Sequence, residues 1–114
     1  MKKINTISNR GKQTTQLLLD DGSVVVMELK YVDNNQGWMY SLTHSTSGFS
    51  VVNRRIVNSP NLLRAFRNVI DWGISCTTTD LQEPIFLDDF YTGRASLYLL
   101  NETDVSDIEE LIRG

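Results

Sequence analysis

The sequence has very little of several residue types, and these scarcities already exclude some functions. Cys76 is its one cysteine, so no disulfide can form within the chain, which is typical of folding in a reducing cytoplasm. One histidine, His44, and one distant cysteine are too few for a metal site of these ligands. No apolar run approaches the roughly 18 residues of a membrane-spanning helix, and the N-terminus lacks the apolar core of a signal peptide. We expect no metal, no cofactor and no membrane association.

Motifs of catalysis are missing as well. The Gly-x-Ser-x-Gly, P-loop and dinucleotide-binding glycine patterns are absent. Asp88 and Asp89 are adjacent acids, but neighbouring residues on a strand point to opposite faces, so a turn with Arg94 as partner is the better interpretation. Cys76 lies in a strand pattern, where a small buried hydrophobe is its ordinary role. The sequence therefore predicts no catalytic residues and no enzyme activity.

Charge is distributed unevenly along the 114 residues, although the net charge is only −3. The first nineteen residues contain four bases and no acid, whereas the segment 102–110 contains five acids and no base. Opposed charges of this kind suggest contact between the two ends, within one chain or between neighbouring chains. The alternative is that both ends are solvated surface. The basic segment is short and lacks interleaved aromatic residues, which argues against nucleic acid as a partner.

Alternating apolar residues predict β structure over most of the chain. Asp20-Asp21-Gly22 separates two apolar runs and is a strong hairpin signal. Further strands are expected over 23–32, 38–44, 49–57, 69–79 and 94–101, with a turn at 33–37. Trp38, Tyr40 and Leu42 should face the core, and His44 should continue that face to its rim. The fold class is all-β, with about six antiparallel strands in a small barrel or sandwich and a short C-terminal helix.

The remaining segments complete the predicted organisation. Ser59-Pro60 is a helix-start signal, although an irregular connection there is an alternative, and Ser106 with Glu109 fits a capping box that begins a helix at Asp107. Residues 1–13 should form a flexible basic arm, because Ile4 and Ile7 are too few apolar anchors to dock it on its own domain. We expect the arm (1–13), a β domain (14–105) and a short helix or tail (106–114).

Aromatic and arginine residues, which are enriched at protein interfaces, mark the candidate contact residues. Each of them taken alone is more often core or solvated surface. In the domain the candidates are Arg54, Arg55, Arg64, Phe66, Arg67, Trp72, Phe90 and Tyr91, and in the arm they are Lys2, Lys3, Ile4 and Ile7.

Four short motifs between about Gln16 and Val105 resemble a known family: Gly37-Trp38, 61–64 (Asn-Leu-Leu-Arg), 72–74 (Trp-Gly-Ile) and 88–90 (Asp-Asp-Phe) followed by Gly93-Arg94. The chain is similar to the small baseplate plug proteins of contractile-tailed bacteriophages. The resemblance implies a structural virion protein of the tail baseplate, made in the host cytoplasm and located in the central hub. It also implies contacts with other hub, tail-tube and spike proteins and with further copies of itself.

Two other classes of function stay open at this point. A small β-barrel that binds a peptide or an oligonucleotide would present an aromatic platform to solvent. A baseplate-associated cell-wall hydrolase would need separated acidic residues in a cleft.

Overall fold

Two antiparallel sheets form the fold in the computed structural model, which describes residues 1–5, 7–8, 10–32 and 37–113. Within these residues the strands are β1 (Lys2–Lys3), β2 (Lys12–Leu18), β3 (Val24–Val32), β4 (Gly37–His44), β5 (Phe49–Arg55), β6 (Gly73–Thr78) and β7 (Ala95–Leu100). The helical elements are a 3₁₀ turn (Arg64–Phe66), α1 (Asp89–Thr92) and α2 (Glu102–Arg113). One sheet has the order β2-β3-β4-β5 and the other β1-β7-β6. The predicted all-β fold is confirmed, and its form is an open sandwich rather than a closed barrel.

The four-stranded sheet follows the alternation of its sequence. The inward side chains of β3 and β4 are buried, including Trp38, Tyr40 and Leu42, which confirms their predicted core position. Gly22 adopts a φ of 86° in the turn between β2 and β3, a conformation that glycine accepts without strain. The predicted turn at 33–37 lies mostly outside the described residues. His44 is the last residue of β4, at the rim of that face as predicted, and it is buried between the hydroxyl groups of Ser23 and Ser47.

Strand β5 contains a β-bulge. Tyr40 pairs with Arg54 and Leu42 with Val51, so β5 has one residue more than β4 over this stretch. Asn53 adopts a φ of 50°, and its backbone N–H donates to Ser41 Oγ (3.0 Å) instead of to a ladder carbonyl. The regular pairing of this edge strand is therefore interrupted in its middle.

One edge of the three-stranded sheet, along β6, is covered by a short segment of the same chain. Ser59 and Cys76 exchange backbone hydrogen bonds beside β6, and the Leu62 N–H donates to the Ile74 carbonyl (2.7 Å). These bonds tie Ser59 and Leu62 to β6, so no helix starts at Ser59; the segment is the irregular connection given as the alternative, and it leads into the 3₁₀ turn at Arg64–Phe66. The other edge of this sheet is β1 itself, a strand of two residues beside β7.

Helix α2 begins earlier than the Ser106 capping box predicts. The Asp104 N–H donates to Asn101 Oδ1 (2.8 Å), and the Asn101 N–H donates to Asp104 Oδ2 (3.1 Å). This reciprocal cap satisfies two backbone donors at the true start, so the helix gains a turn and runs from Glu102. No helix in the described part of the chain is long and apolar enough to cross a membrane.

The connection between β6 and β7 is fastened to the four-stranded sheet by two aromatic side chains. Tyr31 Oη donates to the Ile85 carbonyl (2.7 Å), and Trp38 Nε1 donates to the Phe86 carbonyl (3.1 Å). Buried aromatic residues with polar groups need such partners, and here the partners are main-chain atoms of the other part of the sandwich. The connection therefore contributes to the joining of the two sheets.

A buried ion pair between Asp89 and Arg94 stabilises the same connection between β6 and β7. Asp89 is 2% exposed, and its Oδ2 accepts from the Phe86 N–H (2.8 Å) and from Arg94 Nη1 (2.8 Å). Arg94 also donates to the Glu83 carbonyl (3.2 Å) and to the carboxylate of Asp80 (3.1 Å). The turn predicted at Asp88-Asp89, with Arg94 as its partner, is confirmed for Asp89.

Candidate protein-contact site

Four of the candidate residues, Arg54, Arg64, Phe66 and Arg67, come together on one surface, which we call the arginine face. The Arg54 guanidinium carbon lies 5.2 Å from the centre of the Phe66 ring, a cation–π distance. The Phe66 ring in turn packs edge-on against Phe49, with the ring centres 5.3 Å apart. The aromatic pair therefore fixes the position of an exposed guanidinium.

Helix α2 fixes the other two arginines through Glu109. Arg64 donates to both carboxylate oxygens of Glu109, at 2.9 and 3.3 Å, in a bidentate pair. Arg67 Nε lies 3.7 Å from Glu109 Oε1, and Arg67 Nη1 donates to the Arg64 carbonyl (3.0 Å). Glu109 is buried, although the sequence suggested an exposed acidic run and a capping-box partner for Ser106. The one sequence signal for its role is its position on the same helix face as Val105, four residues earlier.

Arg55 does not join the arginine face. It pairs with Met39 on the outer side of the four-stranded sheet. Its guanidinium packs closely against Gly37: a Cβ atom added to this glycine would lie 2.9 Å from Arg55 Nη2. Neighbouring strand residues point to opposite faces, so Arg54 and Arg55 diverge. The four candidate arginines of the domain are therefore divided between two surfaces.

Trp72 and Phe90 are core residues in the structure rather than exposed contacts. Trp72 packs edge-on against His44 and Phe49, with ring centres 5.8 and 5.9 Å away, and Phe90 packs edge-on against Trp38 at 5.6 Å. Their burial inside the sandwich satisfies the need for apolar surroundings without a partner protein. Tyr91, in contrast, is 64% exposed.

Part of the N-terminal arm is ordered on its own domain. Lys2 and Lys3 pair with Leu99 and Tyr98 of β7, and the Ile4 N–H donates to the Leu97 carbonyl (2.8 Å). Ile4 is buried and Ile7 packs against the core, so the expectation that these anchors are too few to dock the arm does not hold. The side chains of Lys2 and Lys3 are exposed.

The two ends of the chain meet through the ammonium group of Met1, whereas among the described residues no ion pair joins the four basic side chains of the first nineteen residues to an acid. The Met1 ammonium group lies 2.7 Å from Asp104 Oδ2. This ammonium group, followed by the backbone of Asn101, holds the pKa of Asp104 below its ordinary value of 3.8. The contact lies beside a cleft of about 350 Å³ whose other acidic lining residues are Asp20, Asp21, Asp71 and Glu102.

The residues weighed for catalysis are engaged in the structure. The Asp89 carboxylate is buried and paired with Arg94, so it is not available for acid–base chemistry in a cleft. Burial raises the pKa of the Cys76 thiol to about 12, with a smaller contribution from Glu83, so the reactive thiolate is not formed near neutral pH. No group of three potential metal ligands occurs among the described residues.

Comparison with known proteins identifies the family. The family model described as cyanophage baseplate Pam3 plug gp18 matches residues 1–102, which span both sheets and the arginine face. Among curated proteins no match was found. Because the family model covers most of the chain, the protein belongs to this family of baseplate plug proteins.

Proposed function

We propose that the protein is a structural component of the central hub of a contractile phage tail baseplate and acts there as a plug. Membership of the baseplate plug family carries this proposal and supports a location in the virion tail baseplate. The finer role is assembly with other hub, tail-tube and spike proteins and with further copies of the chain, without turnover or cofactor.

The arginine face is our candidate for one of these contacts. Arginine and aromatic side chains dominate the binding energy of many protein interfaces, in part because fixed side chains lose little entropy on binding. Phe66 and Glu109 hold the guanidinium groups of Arg54, Arg64 and Arg67 before any partner binds. A partner with acidic or carbonyl groups at this position would meet preformed donors.

The exposed lysines of β1 are a second candidate contact. Among the described residues the ladder on β7 consists of Lys2 and Lys3, with one further backbone hydrogen bond from Ile4, so few hydrogen bonds hold the strand. The same backbone pairing and the same Met1–Asp104 ion pair could form between neighbouring copies, which would exchange their arms on assembly.

Neither alternative function has a supporting feature among the residues that the structure describes. The clearest aromatic stripe, Trp38 and Tyr40, is buried, so it cannot act as a solvent-facing platform for a peptide or an oligonucleotide. The acid pair considered for a cell-wall hydrolase has one member, Asp89, tied to Arg94 inside the fold. We therefore propose no enzyme activity.

Complementation of a phage that lacks this gene tests the proposal. Arg54→Glu and Lys3→Glu each reverse one exposed charge of a proposed contact, and Arg10→Glu makes the same reversal at an exposed residue outside both contacts. We expect equal melting temperatures for the three purified variants and reduced incorporation into tails for the first two only. Full incorporation of Arg54→Glu and Lys3→Glu would refute both contacts, and infective tails without the protein would refute the structural role.

A further inference from the structure

A row of basic residues crosses the outer face of the four-stranded sheet. In the strand register Lys12 of β2 pairs with Lys30 of β3, Lys30 pairs with Met39 of β4, and Met39 pairs with Arg55 of β5. Lys12, Lys30 and Arg55 are exposed, and Met39 is half-buried between them. We call Lys12, Lys30, Met39 and Arg55 the basic row; it presents three cations around one apolar side chain.

The electrostatic repulsion within the basic row is unfavourable in the isolated protein. Like charges directly opposite each other on neighbouring strands repel, and Lys12 and Lys30 are such a pair. Within the described residues, no ion pair joins Lys12, Lys30 or Arg55 to an acid, and the nearest acid along β3, Glu28, occupies the next row of the sheet. An acidic partner would remove this repulsion, so the row has the electrostatics of a docking surface.

The exposed side of α2 carries the complementary groups. Asp107 and Glu110 are one turn apart and exposed, and Leu111 beside them is 81% exposed. The opposite side of α2 packs towards the domain through Val105 and Glu109, near β7 and the 3₁₀ turn. Because the basic row faces away from the three-stranded sheet that contains β7, the two surfaces cannot meet within one chain.

The dimensions of the two surfaces match. Three residues of helix place Asp107 and Glu110 about 4.5 Å apart along the axis. Neighbouring strands are about 4.8 Å apart, so Lys12 and Lys30 have nearly the same spacing. A helix lying across the strands would set the two acids against the two lysines and bring Leu111 towards Met39.

We propose that α2 of one copy docks on the basic row of the next copy, head to tail. The two surfaces differ, so the contact is heterologous and generates a ring when the rotation between copies closes. This inference deepens the proposed function, on which it rests, because it names a second copy of the chain as a partner in the hub.

Charge reversal on each surface tests the contact in the purified full-length protein. Sedimentation velocity should show association of the wild-type protein that increases with concentration and weakens with added salt. Lys30→Glu or Glu110→Lys should each weaken association by about tenfold or more, whereas an equimolar mixture of the two variants should associate again. Arg10→Glu and Asp88→Lys make the same charge changes at exposed residues outside the two surfaces and should associate as the wild type does.

Several outcomes would overturn the inference. These are a wild-type protein that stays monomeric at all concentrations, a mixture of Lys30→Glu and Glu110→Lys that fails to associate, and an equal effect of Arg10→Glu and Lys30→Glu. Incorporation into tails distinguishes failure of the contact between copies from failure of the proposed structural function. If the protein enters tails normally but does not self-associate through these surfaces, the contact between copies is refuted and the structural function stands.

Discussion

Substitution of Arg94 by alanine should destabilise the domain more than the loss of an ordinary surface charge. The Asp89 carboxylate would remain buried with the Phe86 N–H as its one described donor, because its ion-pair partner would be gone. Removal of one member of a buried ion pair typically costs about 3–5 kcal/mol, since the remaining charge is left without compensation. The Arg94 side chain is 21% exposed, so we expect the lower end, about 3 kcal/mol.

A loss of that size is a large part of the stability of a small domain, about 5–15 kcal/mol in total. Urea unfolding followed by tryptophan fluorescence measures it directly, since Trp38 and Trp72 are both buried in the folded state. Arg94→Ala should shift the midpoint strongly. Asp80→Asn removes the other carboxylate that Arg94 contacts, but this group is 49% exposed, so its removal is the matched control and should have a much smaller effect.

A double-mutant cycle tests the cause of the destabilisation. Asp89→Asn removes the buried charge and retains an oxygen that can accept from the Phe86 N–H. If the unpaired carboxylate is responsible, Arg94→Ala should cost less in the Asp89→Asn background, with a coupling free energy of about 1–3 kcal/mol. Strict additivity of the two substitutions, or equal effects of Arg94→Ala and Asp80→Asn, would refute the reasoning.

Three further predictions concern stability. Tyr40→Ala should cost about 3–5 kcal/mol in chemical denaturation, because the ring is 2% exposed, and a cost below about 1 kcal/mol would place the ring on a binding surface instead. Gly73→Ala should cost about 1–3 kcal/mol, since the added Cβ would lie 2.5 Å from Asn61 Oδ1, and an unchanged melting temperature would contradict this close approach. Asp104 has a lowered folded-state pKa, so its stabilisation is present above about pH 4 and lost as the pH falls through that lowered value. Asp104→Asn should therefore flatten the acid limb of a stability–pH profile, and an unaltered limb would exclude the ion pair with Met1 as a cause.

The sheet that could be predicted from the sequence is the one built from local signals. Asp20-Asp21-Gly22 and the alternation around Trp38, Tyr40 and Leu42 specify adjacent antiparallel strands, and these strands are present. In contrast, Ser59 and Ser106 carry genuine helix-start signals that the structure does not use. Hydrogen bonds to β6 hold Ser59 and Leu62 in an irregular segment that cannot be helical, and a second cap five residues upstream of Ser106 begins α2 earlier. Tertiary contacts override a local signal in the first case, and a competing local signal is used in the second.

The candidate contact site was harder to predict because its parts are distant in the sequence. Residue types pointed to Arg54, Phe66 and Arg64, but their common surface depends on contacts between β5, the 3₁₀ turn and α2, with Arg64 and Glu109 separated by 45 residues. Periodicity does not reveal such pairs. The same residue types also pointed to Trp72, whose place in the core becomes evident only when the aromatic residues that surround it are known.

The bulge in β5 affects whether this protein can form fibres at high concentration. A flat edge strand offers unpaired backbone groups on which the edge of another molecule can add, and repetition of that addition leads to amyloid-like stacking. At Asn53 the backbone turns to a positive φ and its N–H is taken by Ser41, and the charged Arg54 and Arg55 follow at once. A second β5 cannot continue a regular ladder past that point. One extra residue in β5 thus protects this sheet edge against templated aggregation.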